Sequence, residues 1–111
     1  MQHHISDENV LIILNELKDK HEEINEQLNN QIFDYKKKLD KYVYEYRFYY
    51  DAETYLYNKK HRELLNNKYL NKHDVNEEAK LKDTIAKLTV EKDLNENILN
   101  IIKENLNKFS N

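Results

Sequence analysis

The stretch KYVYEYRFYYDAETYLYNKK, residues 41–60, contains seven of the nine tyrosines of this 111-residue chain. Its secondary structure decides the fold, because its aromatic residues fit two different periods. With a period of two residues, the alternation from Tyr42 to Tyr50 indicates a β-strand. With 100° per residue, the same rings fall into two stripes along an α-helix.

The helical interpretation places the apolar side chains of this region on two faces. The first aromatic face contains Tyr35, Leu39, Tyr42, Tyr46, Tyr49, Tyr50, Leu56, Tyr57 and Leu64. The second aromatic face lies roughly opposite and contains Phe33, Tyr44, Phe48 and Tyr55. A helix with two apolar faces needs a neighbour on each of them. The second face is therefore either the inside of a bundle or a protein-binding surface that receives another chain.

The strand interpretation leads to a different architecture. Asp51-Ala52-Glu53 would form a turn into a second short strand, residues 54–57, between two helices. Such a helix–hairpin–helix chain resembles a β-type prefoldin subunit, a tentacle-like chaperone, in layout and length. The resemblance implies a chaperone-like subunit as the alternative function.

Outward from this stretch, the first helix has a clear start and a regular apolar seam. Ser6 is a favourable N-cap, and Asp7 and Glu8 suit the positive end of the helix dipole. Steps of four and three residues predict a coiled-coil seam, with a stutter between residues 28 and 32. The seam contains Val10, Leu14, Leu17, His21, Ile24, Leu28, Ile32, Tyr35, Leu39, Tyr42, Tyr46 and Tyr49.

A second helix follows a break near residues 71–74. Asp74 and Glu77 form an Asp-x-x-Glu capping pattern, so we expect a helix over residues 74–110. Lys92 or Asn95 interrupts its apolar side. That side contains Leu81, Ile85, Leu88, Leu94, Ile98, Ile102, Leu106 and Phe109.

These elements predict a single all-α domain over residues 1–111. An unbroken helix over residues 6–71 would be about 100 Å long, roughly twice the length of its partner. The long segment is therefore straight and half-unpaired, or bent at Asn29-Asn30 or at Asp51 as the N-cap of a further helix. The fold is correspondingly an antiparallel coiled-coil-like helical hairpin or a three-helix bundle of long helices.

Composition excludes several classes of function. The chain has no Gly, Pro or Cys, which excludes glycine-rich phosphate loops, disulfides and cysteine-ligated zinc. The longest apolar run is five residues, Val10–Leu14, too short to span a membrane. The absence of Cys favours an intracellular, cytoplasmic location. No catalytic, cofactor-binding or metal-binding residue set is recognisable, and we expect no enzyme activity and no cofactor.

The charge distribution is uneven along the chain. Residues 1–34 are acidic, residues 35–73 are basic and hold all nine tyrosines, and residues 74–111 are again slightly acidic. Basic residues between aromatic rings can bind an anionic polymer such as nucleic acid, the third hypothesis. The acidic flanking segments are alternative partners for these cations and weigh against it. We therefore predict a non-enzymatic structural or adaptor coiled-coil module. It forms an oligomer and binds itself or another helical protein through Phe33, Tyr44, Phe48 and Tyr55.

Overall fold

The computed structural model describes residues 3–110, and over these residues the chain is all-α without any strand. Helix α1 comprises Asp7–Glu53, α2 comprises Lys59–Leu65, and α3 comprises Val75–Ser110. A five-residue π-helical turn, Asn66–Leu70, follows α2 directly. The all-α prediction is confirmed.

Both long helices begin at the capping residues that the sequence indicates. The Ser6 hydroxyl accepts a hydrogen bond from Asn9 N at 3.3 Å, and α1 starts at the next residue. The Asp74 carboxylate accepts from Asn76 N at 2.8 Å, and α3 starts at Val75. Each cap satisfies a backbone N–H group that has no partner within the helix.

The tyrosine-rich stretch is helical up to Glu53 and forms no strand, so the alternative β-hairpin is wrong. Helix α1 continues without interruption through Asn29-Asn30 and ends at Glu53. Asp51 lies inside its last turn, where its carbonyl oxygen accepts from Thr54 N and Thr54 Oγ1. The prediction of Asp51 as an N-cap is therefore wrong. The actual break comprises residues 54–58, and Asn58 caps α2 by accepting from the backbone N–H groups of residues 60 and 61.

The described residues divide into two compact units. The first runs up to Ile32 and resumes from Lys87, and it contains parts of α1 and α3. The second is Phe33–Ala86, with the end of α1, α2, the π-helical turn and the start of α3. Every buried residue of the described chain lies in the first unit: Leu28, Ile32, Asn95, Leu99 and Ile102.

The seam of α1 follows the predicted spacing. All twelve predicted positions from Val10 to Tyr49 are half-buried or buried, whereas most residues between them are exposed. The two positions that flank the stutter, Leu28 and Ile32, are the buried residues of α1. The four-three spacing is therefore a correct guide to which face of α1 is covered.

The seam of α3 differs from the predicted one. Leu94 and Phe109 are exposed, whereas Lys92 is half-buried and Asn95 is buried. A four-three rhythm of covered positions runs through these two polar residues, and Thr84, Ile98 and Asn105 beside it are also half-buried. Its positions are Glu78, Leu81, Ile85, Leu88, Lys92, Asn95, Leu99, Ile102 and Leu106. Lys92 and Asn95 are therefore part of the seam and do not interrupt it. Spacing along the helix, and not residue type, decides which positions of α3 are covered.

Asn95 is paired with His21 within the first unit. Asn95 is only 4% exposed, and its Nδ2 donates to the His21 carbonyl oxygen at 2.8 Å. His21 Nδ1 lies 2.7 Å from Asn95 Oδ1. Because Oδ1 can only accept, the Nδ1 atom carries the proton in this pair. Two hydrogen bonds thus join one polar residue of each seam, an arrangement that selects one register between helices.

Candidate protein-binding surface

The first aromatic face of α1 packs inside the second unit. His73 stacks on Tyr46 with ring centroids 4.0 Å apart and on Tyr42 with centroids 4.8 Å apart. Tyr49 stacks on Tyr69 of the π-helical turn at 4.3 Å, with the two rings only 7° from parallel. These contacts join the end of α1 to the segment that precedes α3. Rings at positions 42, 46 and 49 therefore hold the second unit together.

The hydroxyl of Tyr42 adds a polar contact to this packing. It accepts a hydrogen bond from Asp74 N and donates one to the Asp74 carbonyl oxygen, both at 2.7 Å. Asp74 is the N-cap of α3, so one tyrosine fixes the point where that helix begins. The sequence indicated Tyr42 as a seam residue but gave no sign of its hydroxyl contact or of the histidine stacking.

Three members of the first aromatic face do not share this packing. Tyr50, Tyr57 and Leu64, the last of which lies in α2, are exposed. Tyr57 lies in the break after α1, so the helical spacing that placed it on this face does not apply there. Tyr50 contacts Tyr46 only as a tilted pair with centroids 6.2 Å apart. Their assignment to the covered face is corrected accordingly.

The second aromatic face is exposed to solvent. Tyr44 is 68% exposed, Phe48 is 55% exposed and Tyr55 is 78% exposed. Together these rings line one open groove of about 590 Å³ on the second unit. We call it the aromatic groove. Its full lining is Tyr44, Arg47, Phe48, Asp51, Ala52, Tyr55 and Leu56.

Phe33, the fourth predicted site residue, does not line the aromatic groove. It is 67% exposed and lies on α1 about 16 Å along the helix axis before Tyr44. The structure therefore brings Tyr44, Phe48 and Tyr55 together and leaves Phe33 as a separate exposed ring.

Two charged residues were missed as part of this surface. Arg47 and Asp51 are spaced four residues apart on α1 and lie beside the rings in the lining of the groove. They are neighbours of Tyr44 and Phe48 on the helix, and this spacing was visible in the sequence. They give an apolar groove a polar margin, the usual composition of a protein–protein contact.

Other kinds of site find little support in the described part of the chain. No group of three or more His, Asp or Glu side chains there is placed to hold a metal ion. None of the helices over residues 3–110 is both long and apolar enough to cross a lipid bilayer. Comparison of the chain with protein-family models, with curated proteins and with solved structures gave no match.

Proposed function

We propose that this protein is a non-enzymatic structural or adaptor module whose aromatic groove binds an α-helix of a protein. The observation that carries the proposal is the contrast between the two faces of one helix. Tyr42, Tyr46 and Tyr49 are engaged with other parts of the chain, whereas Tyr44 and Phe48, between them in sequence, point to solvent.

The energetics of exposed aromatic surface support this assignment. Burying a large aromatic side chain is worth about 2–3 kcal/mol. Three neighbouring rings that stay more than half exposed leave much of that free energy unused in the isolated chain. A partner that covers these rings on binding gains that free energy. Contiguous exposed apolar surface of this kind is characteristic of interaction sites.

The second unit is also the less covered of the two. Among the residues that the structure describes, the second unit has no buried residue, whereas the first has five. Its stability rests on stacked rings that remain partly accessible. A partner on the aromatic groove would add the cover that this unit lacks.

We further propose a coiled-coil-like packing of α1 and α3 in each unit. The four-three spacing of covered residues in both helices supports it, as does the hydrogen-bonded pair of His21 and Asn95. In the second unit, α2 and the π-helical turn add a third helical segment. A hairpin therefore describes the first unit best, and a short three-helix cluster describes the second.

A helix fits the groove better than a small ligand does. Tyr44 and Phe48 are spaced by four residues on α1, the spacing with which amphipathic helices meet, and Tyr55 lines the same groove from the break after α1. Tyrosine suits such a surface because its ring buries a large area while its hydroxyl group tolerates water. The chaperone-like alternative depended on a β-hairpin at residues 42–57, which the structure replaces with a helix and a turn.

Selection of helical peptides from a random display library tests the proposal. The purified chain is the target, and the Phe48→Ala variant is the counter-target. We expect the enriched peptides to carry apolar residues at helical spacing. By isothermal titration, Phe48→Ala should weaken their binding by about 30-fold, the effect of losing one central interface residue.

Tyr57→Ala is the matched control. Tyr57 is an exposed ring two residues from Tyr55 and does not line the groove. Tyr57→Ala should leave the affinity for the selected peptides within about twofold of wild type. Selected peptides that bind Phe48→Ala as tightly as wild type, or a selection that enriches none, would refute the proposal. Micromolar binding of a single-stranded oligonucleotide with a steep salt dependence would instead favour the anionic-polymer function.

A further inference from the structure

The outer surface of α1, opposite its covered seam, carries two patches of contrasting chemistry. The acidic patch lies in the first unit and consists of Ile12, Asp19 and Glu23, all exposed. The basic patch lies in the second unit and consists of Lys37, Lys41 and Phe48, also exposed. Each patch therefore has one apolar anchor and two charges of a single sign.

The two patches are complementary when read in opposite directions from Asn30. Ile12 and Phe48 are equally far from Asn30 in sequence, as are Asp19 and Lys41. Glu23 and Lys37 form a third such pair. Within the two patches an apolar residue thus matches an aromatic one and each acid matches a base, whereas the exposed Glu26 and Asp34, also equally far from Asn30, match as two acids. At 100° per residue, all positions of the two patches lie within about 20° of Asn30 around the helix.

We propose that the partner of the basic patch and the adjoining aromatic groove is the acidic patch of a second copy of this chain. The two α1 helices run antiparallel, with Asn30 of each copy at the two-fold axis. The inference rests on the proposed function and names its partner. Because α1 carries both patches, the exchange is reciprocal, and a two-fold pair closes without leaving a patch open.

Charge and burial favour a second copy over an unrelated helix. The segment over residues 1–34 has eight acidic side chains and two lysines, whereas residues 35–73 have ten basic and five acidic side chains. Two copies in antiparallel order bring these opposite fields together, which steers association and sets the register. Ile12 is 50% exposed on this net-acidic segment and supplies the apolar contact for Phe48.

Existing contacts of the basic patch do not prevent this pairing. Lys41 Nζ lies 3.9 Å from Glu45 Oε1, and both side chains are more than half exposed. An exposed pair at that distance contributes little and is readily exchanged for another carboxylate. The stacked rings of the first aromatic face lie on the opposite side of α1 and need not move.

Disulfide trapping tests the position of the two-fold axis. The chain has no cysteine, so a single substitution introduces the sole thiol. Under mild oxidation, Asn30→Cys should form a covalent dimer, because the two thiols meet at the axis. Asn29→Cys is the matched control, since it is also exposed on α1 but turned about 100° away from the proposed contact. It should crosslink at least tenfold more slowly.

Charge reversal tests the pairing itself, by sedimentation velocity over a concentration series. Lys37→Glu with Lys41→Glu should raise the dimer dissociation constant about tenfold or more, and so should Asp19→Lys with Glu23→Lys. All four substitutions in one chain restore every opposite pair and should bring the constant back to within about threefold of wild type. Circular dichroism establishes that each variant keeps its helices.

The outcomes separate this inference from the proposed function. Three results would each overturn the homodimer. They are equal crosslinking of the two cysteine variants, a wild-type chain that stays monomeric, and a quadruple charge-reversal variant whose dissociation constant does not return towards that of wild type. If selected peptides still bind the groove in a Phe48-dependent way, the groove remains a helix-binding site with a different partner. If neither behaviour is seen, both proposals are lost.

Discussion

The hydrogen-bonded pair of His21 and Asn95 allows a quantitative test of the first unit. Asn95→Ala removes both hydrogen bonds of the pair, at 2.7 and 2.8 Å, and leaves the His21 Nδ1–H group without its acceptor. A lost hydrogen bond with a buried partner left unsatisfied costs about 1–3 kcal/mol. Because His21 is only half-buried and water can reach it in part, we expect about 2 kcal/mol for Asn95→Ala.

The same reasoning predicts the opposite result when both polar groups are removed. Leucine at both positions leaves no unsatisfied donor or acceptor and places apolar side chains on the covered face of each helix. We therefore expect His21→Leu with Asn95→Leu to unfold at a free energy equal to or above that of wild type. We also expect the double leucine variant to select the register between the two helices less strictly than wild type does.

Urea unfolding followed by circular dichroism measures these effects in a double-mutant cycle. Asn97→Ala on α3 is the control, because Asn97 is exposed two residues away, and it should change the unfolding free energy by less than about 0.5 kcal/mol. If Asn95→Ala is as mild as the control and the double leucine variant is less stable than wild type, the pair does not have the role described here.

Three further substitutions have defined expectations, each measured by urea unfolding. Tyr42→Phe keeps the ring stack and removes only the hydroxyl contacts with Asp74, so it should cost about 0.5–1.5 kcal/mol; no loss would mean that water replaces them fully. Asn58→Ala removes the cap of α2 and should cost about 1 kcal/mol, with faster amide exchange over residues 59–65 as the local sign. Asn25→Leu replaces an amide whose buried Oδ1 has no hydrogen-bond partner and should raise stability by about 1 kcal/mol; a loss would show that this oxygen is satisfied in solution.

Spacing was the most reliable guide in the sequence. The four-three rhythm identified the covered face of α1 correctly at all twelve positions, because burial along a helix is set by geometry before residue type. The same rhythm holds in α3, where Leu94 was favoured over Asn95 on apolar character alone. An exposed leucine is common in proteins, whereas a buried asparagine needs a partner, and that partner lies 74 residues away.

Contacts made by the tertiary structure were beyond the reach of the sequence. The break after Glu53 has no Gly or Pro to mark it, and the clearest local signal, Asn58 as an N-cap, lies five residues further on. His73 offered no pattern that tied it to Tyr42 and Tyr46, because stacking depends on how the segment before α3 folds back. The sequence predicts that Tyr46 is packed and that Phe48 is exposed. It leaves open whether Phe48 faces another helix of the same chain, because that depends on the tertiary structure.

The central claim is that one face of α1 is structural and the other is for binding, and Tyr46→Ala compared with Phe48→Ala tests it most directly. Tyr46 stacks on His73 and is half-buried, so we expect a loss of about 2–4 kcal/mol in unfolding free energy, somewhat below the value for a fully buried ring. Phe48 is 55% exposed, so Phe48→Ala should lower the unfolding free energy by less than about 1 kcal/mol. The measurement is made at concentrations where any oligomer is dissociated, since association would add stability by mass action. Equal destabilisation by the two variants would show that Phe48 is ordinary core, and would contradict the account.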